Sequence, residues 1–230
     1  MPAGGADPRA MTFADHGAER FPAALDATAI AGVLAALGDL PPAHAGVRLH
    51  GIAALRPLLR PSGPVGAVAA SVASEACRPV RALLFDKTAD TNWALRWHQD
   101  RTISVAERIE VDGFGPWTVK SGMLHVAPPF EVLQRMVTLR VHLDPVPATN
   151  APLLVAPRSH RLGRISERDV PRVVQQCGSA VCLAEAGDVW LYATPVLHAS
   201  DAARAPRHRR VLQIDYAAGN LPGGLRWLGV

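Results

Sequence analysis

The chain has 230 residues, 49% of them apolar and 19% charged, with a formal net charge of +4. That length buries one sizeable core and is short for two independent domains, and the composition excludes a disordered or coiled-coil chain. The basic residues are scattered apart from Arg207-His208-Arg209-Arg210, which a solvated loop end explains better than nucleic acid does.

Cys77, Cys177 and Cys182 are odd in number and lack zinc-ligand spacing, so a reduced, cytoplasmic setting is expected. No apolar run approaches the roughly 20 residues of a membrane span. The start of the chain lacks the basic and apolar regions of a signal peptide. A soluble protein with a small-molecule partner is expected, without nucleic-acid or membrane partners; oligomeric state is not readable.

Taken in order, residues 1–22 read as loosely ordered. Leu25, Ala29, Val33, Leu34 and Leu37 recur at helical spacing, predicting a helix over 25–40 with Asp26 or Thr28 as N-cap and Pro41-Pro42 as its stop. A second, alanine-rich helix is predicted over 64–76, with Ser62 as cap and Pro in its first turn. Both helices are expected to cover a sheet. From Val80 the texture changes to short strands: 80–85, 94–98, 136–143, 153–156, 181–183, 188–192 and 211–216. A polar turn over 86–92 separates the first two, and Lys87, which could reach the pocket mouth, reads by default as an exposed turn lysine.

Residues 101–131, dotted with Gly and Pro, read as a long excursion with one short hairpin, the habit of a lid or binding loop. His125 and Trp117 within it read first as local packing and second as pocket lining. In 136–143, Thr138, Arg140 and His142 share one face, which by itself reads as solvent-exposed; His142 and His160 read as structural. The fold class expected is mainly β, a jelly roll or barrel with N-terminal helices packed on one face. One domain spans 1–230, with a helical section over 1–79, the core over 80–217 and a tail over 218–230.

The chemistry begins at Trp97-His98-Gln99-Asp100-Arg101-Thr102. On an extended chain residues i and i+2 project from one face. His98 and Asp100 can therefore aim at one point while Gln99 and Arg101 look away. A third ligand would complete the two-histidine, one-carboxylate face that leaves open positions on ferrous iron. Taken alone the pair reads more readily as a surface hydrogen-bonded pair. His198 follows a strand and a Thr194-Pro195 break, at a strand end where such a ligand could meet them. Arg209, eleven residues on, offers a fork for a carboxylate, and the Ser200 hydroxyl could donate to the same group. Strand parity leaves Arg209 and Arg210 both open.

These residues resemble the phytanoyl-CoA dioxygenase family of Fe(II)- and 2-oxoglutarate-dependent oxygenases. The resemblance is carried by His98-Gln99-Asp100, by the segment 150–160 ending Pro157-Arg158-Ser159-His160, and by Gly187-Asp188-Val189. It continues through His198-Ala199-Ser200 and Arg209-Arg210 into the last strand, covering about 80–217. It implies a double-stranded β-helix, with Fe(2+) on His98, Asp100 and His198 as the catalytic and metal residues. It further implies 2-oxoglutarate on the metal, its far carboxylate held by Arg209 and Ser200. Family spacing favours Arg209 over Arg210. The chain departs from the family at Arg158, where Gly is usual, in its longer excursion, and at Arg140, which stands where an aromatic is common. Arg140 could be a second carboxylate contact or could read an anionic substrate. Family members with Gly or Ala at the Asp100 position halogenate, so Asp100 implies hydroxylation of an unactivated C–H, with release of succinate and CO2. The rivals are a non-catalytic small-molecule or metal-binding jelly roll, and a zinc hydrolase, which would leave Arg209 without a role.

Overall fold

The computed structural model describes residues 7–38 and 46–230; Pro41-Pro42 and His44 lie outside them. In chain order the strands are β1 (Ala18–Phe21), β2 (Val47–Leu49), β3 (Cys77–Lys87), β4 (Leu95–His98), β5 (Ile103–Ser104), β6 (Trp117–Lys120) and β7 (Met123–Val126). They continue with β8 (Met136–His142), β9 (Leu153–Val155), β10 (Ala180–Cys182), β11 (Val189–Ala193), β12 (His198–Ser200) and β13 (Arg209–Ala218). The helices are α1 (Phe13–His16), α2 (Ala27–Leu37), α3 (Arg56–Leu59), α4 (Gly66–Val72), α5 (Phe130–Gln134) and α6 (Val170–Cys177).

Two antiparallel sheets make the jelly roll. The larger runs β1-β11-β8-β13-β3-β2 and the smaller β10-β9-β12-β4. Period-two alternation gives each strand of the larger sheet two different faces. On the outer face Leu212, Ile214 and Tyr216 of β13 and Val137, Leu139 and Val141 of β8 join one core cluster with Val33, Leu55, Leu59, Val65 and Val68. Each such side chain contributes on the order of 1.5–3 kcal/mol through burial. The Tyr216 hydroxyl is satisfied by donating to the Leu59 carbonyl at 2.8 Å. On the inner face Trp190, Tyr192 and Val211 pack against Leu153, Val155, Ala180 and Cys182 of the smaller sheet. The N-terminal helices therefore cover the larger sheet from outside, as expected. Among the described residues no helix is long and apolar enough to cross a membrane.

Several local expectations need correcting. Residues 7–22 are not loose, because β1 forms the edge of the larger sheet, pairing Ala18 with Tyr192 and Phe21 with Val189. Asp188 fastens it there, accepting from Arg20 Nε at 3.0 Å, from the Ala23 amide at 2.8 Å and from the Glu185 amide at 2.7 Å. Asp26 does cap α2, accepting from the Ala29 amide at 2.7 Å. The second helix is shorter than 64–76 and has no side-chain cap. Backbone bonds from Val65 to Leu58 and from Gly63 to Arg60 replace Ser62, and a Cβ on Gly66 would sit 2.0 Å from the Arg60 carbonyl oxygen. The excursion holds a third sheet, β5-β7-β6, rather than one hairpin. Finally, α6 spaces Val170, Val173, Val174 and Cys177 at i, i+3, i+4 and i+7 behind a Pro in its first turn. Eight residues offer too little periodic signal to separate it from loop.

Candidate metal centre

Antiparallel register brings the two histidines together: β12 pairs with β4 so that His198 lies opposite His98. Their rings approach to 4.3 Å between centroids. Asp100, just past the end of β4, points the same way. One ligand atom from each of His98, Asp100 and His198 lies within 4.8 Å of the others. His98 Nδ1 sits 2.7 Å from the Arg96 carbonyl and His198 Nδ1 3.0 Å from the Val196 carbonyl. A carbonyl only accepts, so each Nδ1 carries the proton and each Nε2 is left with a free lone pair. Burial, then the charge of His98, pushes the His198 imidazole down to about 3, so it is neutral wherever the protein works. Burial pulls Asp100 up, but neighbouring positive charge, that of Arg81 foremost, outweighs it and holds the carboxyl well below the usual carboxylate range. Two imidazole nitrogens and one ionised carboxylate are a donor set that fits divalent iron.

A relay of polar groups orients Asp100. Arg81 Nη2 donates to Asp100 Oδ2 at 3.0 Å and Arg81 Nε to Asp215 Oδ2 at 2.6 Å. The Thr138 hydroxyl closes the far side, 3.0 Å from both Asp215 Oδ1 and Thr194 Oγ1. Register explains the group: β13 sets Asp215 opposite Arg81 of β3 and Thr138 of β8. Nothing in the local sequence around Arg81 or Asp215 announced this; only the pairing of strands more than a hundred residues apart creates it.

The same registers carry a cationic end. Lys87 lies opposite Arg209, Arg140 opposite Gln213, and His142 opposite Val211. The polar face of β8, expected in solvent, is thus the barrel's interior, and Thr138, Arg140 and His142 are all buried. Arg209 is 1% exposed, and its Nε and Nη2 have no hydrogen-bond partner among the described residues. Burial, then Arg140, lowers its guanidinium to about 9. Arg140 has one weak contact, Nε to Tyr192 Oη at 3.5 Å, and lies over the Phe85 ring. Arg210 faces out and is fully engaged by Asp144 at 2.7–2.8 Å. Parity thus places Arg209 inside the barrel and Arg210 on its outer side.

Lys87 is the other surprise. It is not an exposed turn lysine but is 1% exposed, donating to the Trp93 carbonyl at 2.7 Å, Ser200 Oγ at 3.1 Å and the Asp201 carbonyl at 3.0 Å. The signal was the alternation Arg81, Leu83, Phe85, Lys87, which continues one face of β3 past the expected strand end. Ser200 in turn donates to the Ala151 carbonyl at 3.1 Å. With Lys87 donating to it and Ala151 accepting from it, Ser200 knits the site's wall. His125, on β7, is buried with Nε2 3.0 Å from Ser104 Oγ, and Trp117 packs in the cluster under the third sheet. A cavity of about 880 Å³ between β4 and α6, lined by Leu95, Trp97, Val170 and Val174, reaches the triad at His98 alone.

Motif residues without ligand atoms position those that have them. Gln99 bonds the Pro195 carbonyl at 2.7 Å and the Ile165 amide at 2.9 Å. Ser159 accepts from the Leu197 amide at 2.8 Å, next to His198. Asn150 Oδ1 accepts from the Arg207 amide at 3.3 Å, two residues before Arg209.

Fold and site together define a jelly-roll protein with a facial triad of two histidines and one carboxylate, and a buried arginine behind it. The chain belongs to the phytanoyl-CoA dioxygenase (PhyH) family, whose sequence profile matches residues 15–211. A comparison with curated protein sequences finds no match. Among solved structures, AviO1 from Streptomyces viridochromogenes Tue57 shares the fold with a TM-score of 0.64 and 20% identity, over 91% of this chain and 93% of that one. HygX from Streptomyces hygroscopicus, crystallised with nickel and 2-oxoglutarate, gives 0.59 and 14% over 90% and 84%. The epimerase SnoN, in complex with Fe3+, alpha-ketoglutarate and nogalamycin RO, gives 0.62 and 18% over 92% and 88%.

Proposed function

We propose that this protein is an Fe(II)- and 2-oxoglutarate-dependent dioxygenase that hydroxylates an unactivated C–H of a small molecule. The observation that carries this reading is the buried Arg209 guanidinium with unpartnered nitrogens, inside the same barrel as a His98–Asp100–His198 triad. A zinc hydrolase has no use for that arginine, and a metal-free binder has none for the triad. Structural neighbours described with 2-oxoglutarate, and with hygromycin B or nogalamycin RO bound, support both the co-substrate and a small-molecule substrate.

In this reading His98, Asp100 and His198 hold the iron through two Nε2 atoms and one carboxylate oxygen. Iron with 2-oxoglutarate supplies oxidative chemistry that couples loss of CO2 and formation of succinate to insertion of one oxygen atom of O2 into the substrate C–H. The chain's own part is binding, orientation and exclusion of water. Arg209 grips the far carboxylate of 2-oxoglutarate in two parallel hydrogen bonds, and Arg140, on the neighbouring strand, adds a second positive charge. Arg81 keeps Asp100 ionised and aimed. Because Asp100 fills the third protein position, the outcome is hydroxylation rather than halogenation. Ser200 and Lys87 hold the loop after β12 against the site, and the β5-β7-β6 sheet closes over it as a lid.

Anaerobic addition of Fe(II) and 2-oxoglutarate should produce the weak visible charge-transfer band of the chelate. His98→Ala and Asp100→Ala should abolish both that band and substrate-stimulated succinate formation. Wild-type turnover in either variant would sink the assignment.

A further inference from the structure

The mouth of the barrel carries a separate set of cations. Arg48 on β2 lies opposite Leu83 in the β2–β3 register. Leu83 shares its face of β3 with Arg81, so Arg48 extends the inner face at the sheet's edge. Among the described residues its Nε is buried without a hydrogen-bond partner, and its Nη1 reaches only Ser121 Oγ, at 3.5 Å. Ser121 follows Lys120 at the turn of the β6–β7 hairpin. Lys120 Nζ donates to Thr102 Oγ1 at 3.2 Å, two residues beyond Asp100.

The hairpin therefore docks its tip on Arg48 and turns Lys120 toward the metal ligands. Among the described residues the one carboxylate acting on either cation is Asp100, which Arg81 already pairs. Burial first, then the charge of Arg81, lowers both Arg48 and Lys120. Two cations held close to a third, with half-buried side chains and no acidic partner of their own, are an arrangement that an incoming anion relieves.

This is not the end that holds the co-substrate. Lys87 lies four residues further along β3 than Leu83, roughly 13 Å at strand rise, with Arg209 opposite it on β13. The hairpin face carrying Lys120 also carries the buried His125 and, opposite it, the exposed Thr118.

We propose that Arg48 and Lys120 form an anion subsite beside the metal centre, which takes a carboxylate or phosphate group of the primary substrate and sets the distance from that group to the reacting C–H. The proposal rests on the dioxygenase reading for the word substrate; the subsite itself rests on the register and the unpartnered cations. An arginine fork across from a lysine point charge suits an anionic oxygen group better than an amide or hydroxyl. The lid would then carry half of the recognition, and closing it would be coupled to the anion's arrival.

The test uses the full chain loaded with nickel(II) and 2-oxoglutarate, which does not turn over, titrated calorimetrically with inorganic phosphate and, separately, with acetate. Saturable binding of one or both is expected, and the stronger of the two arms names the group. Arg48→Gln and Lys120→Gln should each weaken it about tenfold, equivalent to about 1.4 kcal/mol, while Arg209→Gln leaves it in place. Circular dichroism reports the fold of each variant, and Lys120→Gln, on a half-exposed hairpin position, carries the test if Arg48→Gln unfolds. Absence of saturable binding, equal binding in all variants, or loss confined to Arg209→Gln overturns the subsite. Loss of 2-oxoglutarate binding in the unmodified protein, with the Arg48- and Lys120-dependent anion binding intact, overturns the dioxygenase reading and leaves the subsite standing.

Discussion

Arg209 concentrates the energetics of the site in one side chain. A guanidinium removed from water and left without an acceptor is costly, and its two free nitrogens make that cost recoverable only by an anion. Hydrogen bonds to charged groups contribute about 1.5–3 kcal/mol each, so replacing Arg209 with Gln should weaken 2-oxoglutarate binding on the order of a hundredfold or more. Arg209→Lys keeps the charge without the fork and should sit between, a ranking that calorimetry reads directly. Lys87 acts differently, since Trp93, Ser200 and Asp201 already occupy its three donors. It works through its field. Burial, then Arg209 and Arg140, lowers the Lys87 ammonium to about 7. A bound dianion raises it again, so binding favours the protonated form. Below pH 7 free and bound states are both protonated and the affinity is flat. Above pH 7 the free protein must take up a proton, and 2-oxoglutarate affinity falls with rising pH. Calorimetry at pH 8 in buffers of different ionisation enthalpy should show proton uptake on binding, and Lys87→Met should abolish it. Pure enthalpy differences without uptake would refute the role.

At the scale of elements, the loop from β9 to α6 sets where β12 delivers His198. Ser159 is fully buried, donates to the Ala156 carbonyl at 2.7 Å and accepts from the Leu197 amide at 2.8 Å. Ser159→Ala leaves that amide unsatisfied, at a cost of about 1–3 kcal/mol, and should weaken metal binding more than a surface change of equal cost. Next to it Arg158 adopts φ +68° with its side chain exposed, where Gly carries no steric penalty. Arg158→Gly should therefore raise stability by about 0.5–1 kcal/mol with turnover unchanged, as denaturant titration would show.

These elements also mark how far a sequence reaches. The i, i+2 spacing of His98 and Asp100 was legible because both side chains lie on one short stretch, and His198 because it follows a strand and a Thr194-Pro195 break; the residues alone left Arg209 and Arg210 open, and only the family spacing favoured Arg209. The alternation of β8 correctly separated two faces, but not which one faced water, since only the smaller sheet folding over it decides that. Arg81, Asp215 and Lys87 stayed hidden because their meaning comes from cross-strand partners far away in the chain. β1 stayed hidden because Ala-Glu-Arg-Phe is a strand only by virtue of Asp188, which fastens Arg20.

For the whole molecule the barrel is an electrostatic imbalance held in shape by an apolar shell. Inside it Arg81 answers Asp100 and Asp215, while among the described residues Lys87, Arg140 and Arg209 have no carboxylate partner. The empty barrel is thus less stable than its packing allows, and occupancy should set its melting behaviour. Removing one unpaired buried charge should raise stability, so metal- and co-substrate-free Arg209→Gln should melt above the unmodified protein by about 2–4 °C per kcal/mol gained. Saturating nickel(II) and 2-oxoglutarate should reverse the order. At a hundred times the dissociation constant the unmodified protein gains about 2.7 kcal/mol, roughly 5–10 °C for a chain of this size, and the variant gains little. Crossing of the two melting temperatures between the empty and loaded forms is the diagnostic result. If Arg209→Gln instead melts below the unmodified protein in both forms, the guanidinium has a structural partner and the strained, ligand-seeking interior is disproved.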